Sequence, residues 1–288
     1  MSAVPIKSII EEYLETITPF KRPNTQEMHF IYLGELSREI GHYSLTEFNR
    51  IVYIRWIQDF KKRKSKRKTF DDYTKFINQI YMYAFNNGHI DKKIIFHKTD
   101  ADKGRVGRVY TDAELIRLLN VLHGATKIQF ILSFECYMRL TEVLALTWHK
   151  IDFKNKVINL GREDIKTGSK TDRGRMIPLS DFAYDLLARH KNKSKNKWVF
   201  YCEKTGNRVL TNRKAWSIAK RNAKILGRAR WHDIRHTALT KSILENKMNP
   251  SALCLIAGLS LKTLEKVYLH SQLELLRNSM SLEIRRIK

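Results

Sequence analysis

Acidic residues are scarce in this chain: 29 Asp and Glu stand against 54 Lys and Arg, a formal net charge of +25 over 288 residues. A pI near 10.0 is the footprint of a polyanion binder, with nucleic acid the leading class. A merely soluble basic protein, such as a ribosome-associated one, is the plainer reading. Long apolar runs are absent: none approaches the roughly 20 residues that a spanning helix needs. The opening MSAVPIKSIIEEYLE lacks the basic stretch, apolar core and small-residue cleavage site of a signal peptide. Cysteine is rare. Cys136, Cys202 and Cys254 are odd in number and far apart, which fits neither a disulfide framework nor a zinc spacing. The expected setting is therefore a reducing interior, cytoplasmic or nucleoid-associated, with the cysteines as small buried hydrophobes. No internal repeat or low-complexity tract stands out.

What is present is enough for a core, since 43% of residues are hydrophobic, and the length suits one large domain or two ordinary ones. The first ~100 residues read as helices only. Ile6, Ile9, Ile10, Tyr13, Leu14 and Ile17 fall on one helical face. Pro23 separates them from a second helical stretch that ends near Gly41. Ser44 with Glu47 resembles a capping box, ahead of a helix carrying Phe48, Ile51, Val52, Ile54 and Trp56. A fourth helix begins near Thr69, repeats Phe70, Tyr73, Phe76, Ile77, Ile80 and Ala84, and stops at Gly88. Between the third and fourth helices runs KKRKSKRK, with Lys61, Lys62, Arg63, Lys64, Lys66, Arg67 and Lys68 basic. Packing cannot use such a run, whereas phosphates can, because each neutralised phosphate releases counterions. A solvated loop or a targeting address is the alternative.

Residues 97–110 carry two glycines and little apolar periodicity and read as a linker between a domain at 1–96 and another at 111–288. The second domain opens on another capping-box pattern, Thr111 with Glu114. Gln129–Trp148 reads as one long apolar helix. Lys156–Leu160 and Arg175–Leu179 read as short strands joined by GREDIKTGSKTDRG. Helices follow at about 180–190, 212–226, 233–246, 250–257 and 261–270. The fold class expected is mainly α with a small antiparallel β-sheet.

Four places carry candidate chemistry. Arg139 lies in FILSFECYMRLTEVLALTW, where a buried guanidinium is costly unless paired. Glu142, three residues on, can hold it. This is either a structural ion pair or an anion clamp oriented by Glu142. His232 and Arg235 in HDIRHT share a helical face: the arginine offers a fork of donors for phosphate oxygens, and the histidine can move a proton near neutral pH. His236 is equally a packing residue. Lys166, in the turn between the strands, can reach a cleft as a point charge or proton donor, with Lys170 a rival on the same loop. Tyr268, in KTLEKVYLH, is by itself as consistent with a core position as with a nucleophile.

Order and spacing connect them. Arginine, hairpin lysine, His-x-x-Arg and a tyrosine near the end are the layout of tyrosine recombinases and phage integrases. YMRLTEVLALTWHKIDF resembles the family's first arginine box, IKTGSKTDRGRMIPL its lysine hairpin, HDIRHT its HxxR box and AGLSLKTLEKVYLH its tyrosine box. The resemblance covers nearly the whole chain. It implies an N-terminal core-binding, SAM-like helical bundle followed by an α+β DNA breaking-rejoining catalytic domain, closing as a clamp on duplex DNA. It implies catalysis by Arg139, Lys166, His232, Arg235 and Tyr268 with Glu142 and His236 in support, through a 3′-phosphotyrosine, without metal, ATP or other cofactor. It also implies a homo-tetramer on paired sites, with an accessory directionality factor a candidate partner, and a compact layout similar to Xer proteins, with no room for an arm-binding domain. Leu273, Leu276 and Met280 in the tail are set to pack on a neighbouring subunit or on their own domain.

One position departs from the family pattern. Nine residues before the tyrosine the family usually has His or Trp, and here stands Leu259, which has no donor. Loss of one transition-state donor costs on the order of 10²-fold by analogy with oxyanion holes, so a weakened or non-catalytic DNA-binding relative is the rival to an active recombinase.

Overall fold

The computed structural model describes residues 4–63, 67–97, 107–161, 174–245 and 248–268, with only the backbone of 67–69 and 266–268. The chain divides into two compact units, 1–105 and 106–288.

The first unit is built from α1 (Ile6–Thr16), a 3₁₀ turn at Thr18–Phe20, α2 (Pro23–Ile40), α3 (Arg50–Arg63) and α4 (Arg67–Asn86). The i, i+3, i+4, i+7 spacing of Ile6, Ile9, Ile10 and Tyr13 does bury one face of α1. Pro23 occupies the first turn of α2, where its missing N–H costs nothing. The Ser44–Glu47 box forms, with the Ser44 amide donating to Glu47 Oε2 at 2.9 Å and the Glu47 amide to Ser44 Oγ at 3.2 Å. It closes a turn rather than opening α3, which begins at Arg50 with Asn49 Oδ1 accepting from the amides of Ile51 and Val52. That offset rotates the face: Tyr53, Ile57 and Phe60 are buried, while Ile51 and Ile54 are exposed. In α4 all six expected apolar positions are buried. Gly88, at φ +75°, ends the segment by donating to the Phe85 carbonyl.

The basic run is less of a loop than its composition suggests. Lys61, Lys62 and Arg63 form the last turn of α3, and Arg67 and Lys68 lie in the first turn of α4; Lys64 and Lys66 fall outside the described residues. Arg63 is held internally. Its guanidinium meets Glu39 at 2.7 Å and Asp59 at 3.0 Å, and it lies 5.6 Å from the centre of the Phe60 ring.

The second unit holds α5 (Asp112–Val121), α6 (Gly124–Phe134), α7 (Leu140–Leu144), a 3₁₀ turn at Trp148–Lys150, and strands β1 (Ile151–Asp152), β2 (Val157–Leu160) and β3 (Arg175–Pro178). It continues with α8 (Asp181–Lys191), α9 (Arg213–Asn222), α10 (His232–Leu244), α11 (Pro250–Ala257) and α12 (Leu261–Tyr268). Thr111 and Glu114 form their reciprocal cap at the start of α5. The single long helix expected across 129–148 is instead two helices with a break. After Phe134 the chain turns through Tyr137 at φ +50°, and the Met138 amide reaches back to the Leu132 carbonyl at 3.2 Å. Apolar spacing did not reveal the break because Leu132, Met138, Val143 and Leu146 line the same core on both sides of it.

The sheet is antiparallel in the order β1-β2-β3, with Ile158 opposite Ile177 and Leu160 opposite Arg175. The period of two sends Ile158, Leu160, Arg175 and Ile177 inward and Asn159 and Met176 outward. Ile177→Ala should therefore cost about 2–4 kcal/mol in denaturant unfolding, and Met176→Ala less than about 0.5 kcal/mol. Equal losses would mean that the register is wrong.

Candidate active site

A cleft of about 340 Å³ opens in the second unit, with Gly107, Arg139, Arg230, His232, Asp233, Arg235, His236, Leu239, Leu259 and Thr263 on its walls. Of the residues singled out in the sequence, Arg139, His232, Arg235 and His236 thus meet at one place, although nearly a hundred residues separate the first from the rest. Lys166 and Lys170 lie outside the described residues. Tyr268 is the last residue of α12, which packs against α10 and α11. Its side chain also lies outside the described residues.

Arg139 does not sit inside a helix. It stands at the N-cap of α7, directly after the Tyr137 turn. Glu142 Oε2 accepts the Arg139 amide at 2.8 Å and Glu142 Oε1 accepts Arg139 Nη1 at 2.8 Å. One carboxylate therefore satisfies an orphan backbone donor of the helix start and fixes the guanidinium. Glu142 is buried, and burial alone would push its carboxyl up. The hydrogen bond and charge of Arg175, together with those of Arg139, outweigh this and hold it below the usual carboxylate range.

The far side of both arginines is the C-terminus of α11. Arg139 Nη2 donates to the Gly258 carbonyl at 2.9 Å, and Arg235 Nη2 donates to the Ala257 carbonyl at 2.6 Å. These carbonyls are the negative end of a helix dipole, which favours cations. They point at two different arginines because Gly258 adopts φ +62°, the left-handed conformation that ends the helix. The Gly258 amide donates to the Leu255 carbonyl and the Leu259 amide to the Cys254 carbonyl, the bond pattern of a Schellman cap. In that motif the residue after the glycine packs back on the last turn. Leu259 is such a residue: it is buried in one apolar cluster with Leu239, Leu253, Ala257 and Leu264. The leucine thus has a structural reason to be there, and it presents no polar atom to the cleft.

Arg235 is buried, and its Nη1 donates to the carbonyl of Tyr137, the residue held at positive φ. Desolvation, together with the nearby charges of Arg139 and Arg175, presses its guanidinium down to about 9 against the pull of Glu142. It remains a cation at neutral pH. The direction reflects burial first, with the neighbouring guanidiniums adding to it. His232 opens α10 with its ring at the cleft. His232 is exposed at the cleft, yet the walls around the ring and the charge of Arg235 disfavour its imidazolium, so its pKa falls below 6.5. A neutral imidazole at physiological pH can accept a proton. His236 lies one turn on, its Nδ1 3.3 Å from Thr240 Oγ1.

Besides the wall residues Arg230, Asp233, Leu239 and Thr263, three residues that shape this site were not singled out from the sequence. Gly107 was read only as part of a linker, yet a Cβ there would stand 1.6 Å from His236 Cδ2, so the ring occupies the space that glycine leaves. Gly258 is fixed both by its φ and by Arg175, whose Nη1 would lie 2.7 Å from a Cβ at that position. Arg175 was legible in principle: it shares the inward face of β3 with Ile177, an unusual place for a charge. Among the described residues no group of three His, Cys, Asp or Glu side chains is arranged to hold a metal ion, and no helix is long and apolar enough to cross a membrane.

With this geometry in hand, comparison with known proteins is direct. Residues 108–274 match the phage integrase family. The chain belongs to that family, the tyrosine recombinases. It is 24% identical over 269 residues to a XerC-like tyrosine recombinase of Caldanaerobacter subterraneus subsp. tengcongensis, covering 78% of this chain and 64% of that protein. It is 24% identical over 285 residues to the tyrosine recombinase XerC of Pediococcus pentosaceus, covering 92% of this chain and 84% of that protein. The chain thus spans less than two thirds of the first of these relatives. In fold it resembles the Tn1549 transposon integrase solved with a circular intermediate DNA, with a TM-score of 0.79 at 18% identity, covering 96% of this chain and 99% of that one. It also resembles a lambda integrase dimer bound to a COC′ core site, with a TM-score of 0.71 at 12% identity, covering 92% of this chain and 77% of that one. The mainly helical architecture with a small antiparallel sheet is the family's.

The electrostatics of the cleft give a measurable expectation. In an NMR titration of the DNA-free protein, the His232 ring should titrate below the ordinary 6.5. Replacing the Arg235 charge with Gln should raise its midpoint. A His232 midpoint at or above 6.5 would show that the cleft neither dries nor repels the imidazolium.

Proposed function

We propose that the chain is a catalytically competent recombinase that breaks and rejoins duplex DNA through a covalent bond to Tyr268. The observation that carries this reading is the meeting of Arg139, His232 and Arg235 at one cleft, with two guanidiniums fixed by the same helix end. Such a pair grips the non-bridging oxygens of one phosphodiester and is pre-positioned for the charge that grows on five-coordinate phosphorus. The Tyr268 oxygen attacks phosphorus. A Tyr–O–P bond forms, the bond to the 5′-oxygen breaks, and the product is a 3′-phosphotyrosine with a free 5′-hydroxyl. A phenol has a pKa near 10, so its proton must be taken up. The neutral His232 can accept it while the arginines stabilise the phenolate. Lys166 supplies a proton to the leaving 5′-oxygen, with Lys170 the alternative donor. A 5′-hydroxyl from a second duplex then reverses the step. One phosphoester replaces another, so the exchange needs no ATP.

The chemistry suits the integration or excision of a mobile element, or a Xer-like resolution reaction, on DNA in the cytoplasm. The expected working form is four copies on two sites, with an accessory factor setting direction. In the first unit, Lys61 and Lys62 close α3 beside Lys64, Lys66, Arg67 and Lys68 as a phosphate-contacting run. Arg63 is a weaker candidate, since Glu39 and Asp59 already hold it. A second reading, a weakened DNA-binding relative, is favoured by one observation: Leu259 is packed into an apolar cluster where the family usually has a donor.

A nicked suicide duplex carrying the element's end sequence separates these readings. The wild-type chain should form a protein–DNA adduct, and Tyr268→Phe should form none. Arg139→Ala and Arg235→Ala should each lower adduct formation by about 10²-fold or more while leaving most DNA affinity. Absence of any wild-type adduct, or an adduct that survives Tyr268→Phe, would rule out the catalytic reading. Leu259→His should keep or raise cleavage if only a donor is missing; a clear fall would mean that the apolar packing of Leu259 is required.

The basic run has its own readout. Replacing Lys61 and Lys62 together with Ala should lower the slope of log affinity against log salt by about 2 and weaken all duplex sequences alike. An unchanged slope would remove both from the interface.

A further inference from the structure

Arg175 is a buried guanidinium that the mechanism above does not use. It opens β3, faces inward beside Ile177, and its side chain is 6% exposed. Its Nη2 donates to Glu142 Oε2 at 2.7 Å, while its Nε and Nη1 meet no hydrogen-bond partner among the described residues. Packing alone does not account for such a group. Removing a charge from water costs several kcal/mol unless it is well paired, and an apolar side chain of similar length would fill the space without that cost. Nor is Arg175 on the wall of the cleft. It lies behind it, against the Cα of Gly258.

What Arg175 touches is the element that aims Arg139. Glu142 Oε1 binds Arg139 Nη1, and Glu142 Oε2 is shared between the Arg139 amide and Arg175 Nη2. Without Arg175, Oε2 would keep only a backbone partner, and the carboxylate would lose the contact that fixes its plane. The result is a cluster in which Arg139, Arg175 and Arg235 surround the single carboxylate of Glu142. Among the described residues positive charge in this cluster exceeds negative, Asp233 on the cleft wall being paired with Arg230, and an anion entering the cleft completes the balance.

We propose that Arg175 is a positioning residue for strand cleavage: it locks Glu142 so that Arg139 is aimed, and it adds a third positive charge behind Gly258 to the seat of a phosphodiester. This rests on the reading of function given above. The charge gains most when phosphorus is five-coordinate and carries an extra negative charge, so Arg175 acts on the chemical step more than on DNA affinity.

The test uses the full chain with Arg175→Met, Arg175→Lys and, as reference, Arg139→Ala. Single-turnover cleavage of the nicked duplex at saturating protein should fall by about 10²-fold in Arg175→Met, with duplex affinity within about threefold because non-specific phosphate contacts dominate binding. Arg175→Lys should recover part of the loss, since it restores the charge but not the planar fork. In parallel, the rise in melting temperature caused by inorganic phosphate, measured against chloride at equal ionic strength, should be present in wild type and reduced in Arg175→Met and Arg139→Ala. If Arg175→Met does not fold, Arg175→Lys decides: wild-type cleavage together with wild-type phosphate stabilisation overturns the proposal. Arg175→Met that folds and cleaves within about threefold of wild type overturns it as well, since a misaimed Arg139 would cost on the order of 10²-fold. If the wild-type chain forms no adduct, the function reading fails, and the phosphate arm alone decides the role of Arg175: an equal melting shift in wild type and Arg175→Met overturns it, and a lost shift supports it.

Discussion

The site depends on one electrostatic problem and the way the backbone solves it. Cations that attract one another's ligands but repel one another must be held close together away from water. Among the described residues Glu142 is the one carboxylate that binds two of them, and the carbonyls of Ala257 and Gly258 add further negative character. A helix C-terminus is suited to this task because its last carbonyls are unsatisfied in any case. The arrangement binds the cations without neutralising them, and this leaves a cleft that favours an anion.

That solution dictates local conformations that would otherwise be unfavourable. Tyr137 takes a positive φ, a rare conformation for a large aromatic residue, and its carbonyl is then an acceptor for Arg235. The Tyr137 hydroxyl, 2.6 Å from Ser242 Oγ, ties the same turn to α10. Gly258 must be left-handed for successive carbonyls to serve two arginines, and it must lack a side chain because Arg175 lies against it. Leu259 follows from the same cap. Its burial with Leu253 and Ala257 stabilises the helix end that holds both guanidiniums. The departure from the family pattern thus sits in a structural element of the site rather than at a loose surface position.

Phosphoryl transfer asks little covalent chemistry of a protein and much positioning. Under the proposed function, a cluster of fixed guanidiniums with an imidazole beside it answers that demand. The N-terminal unit carries charge of a different kind, lysines at a helix end, and under the proposed function these attract a duplex without reading it. Its core, by contrast, is aromatic and aliphatic, with the rings of Phe48, Tyr53 and Phe96 in mutual contact.

Much of this was legible in the order of residues. Local patterns are set by neighbours along the chain, so the helices of the first unit, the Thr111–Glu114 cap, the two longer strands and the polar motifs could be read from spacing. The residue types able to serve a phosphate, and their order, were likewise plain along the chain. Spacing could not show the break at Glu135–Tyr137, because one core lies on both sides of it, nor move Arg139 from a helix interior to a helix cap. It could not show that Asn49 rather than Ser44 opens α3. Arg175, Gly107 and Gly258 acquire meaning only from partners 33 to 129 residues away (Glu142, His236 and Arg139), and such pairings are made by the closing of the fold. The sequence by itself determined the chemistry available; the tertiary structure alone decided which charges share a carboxylate, because burial and distance, not order, set the strength of an ion pair.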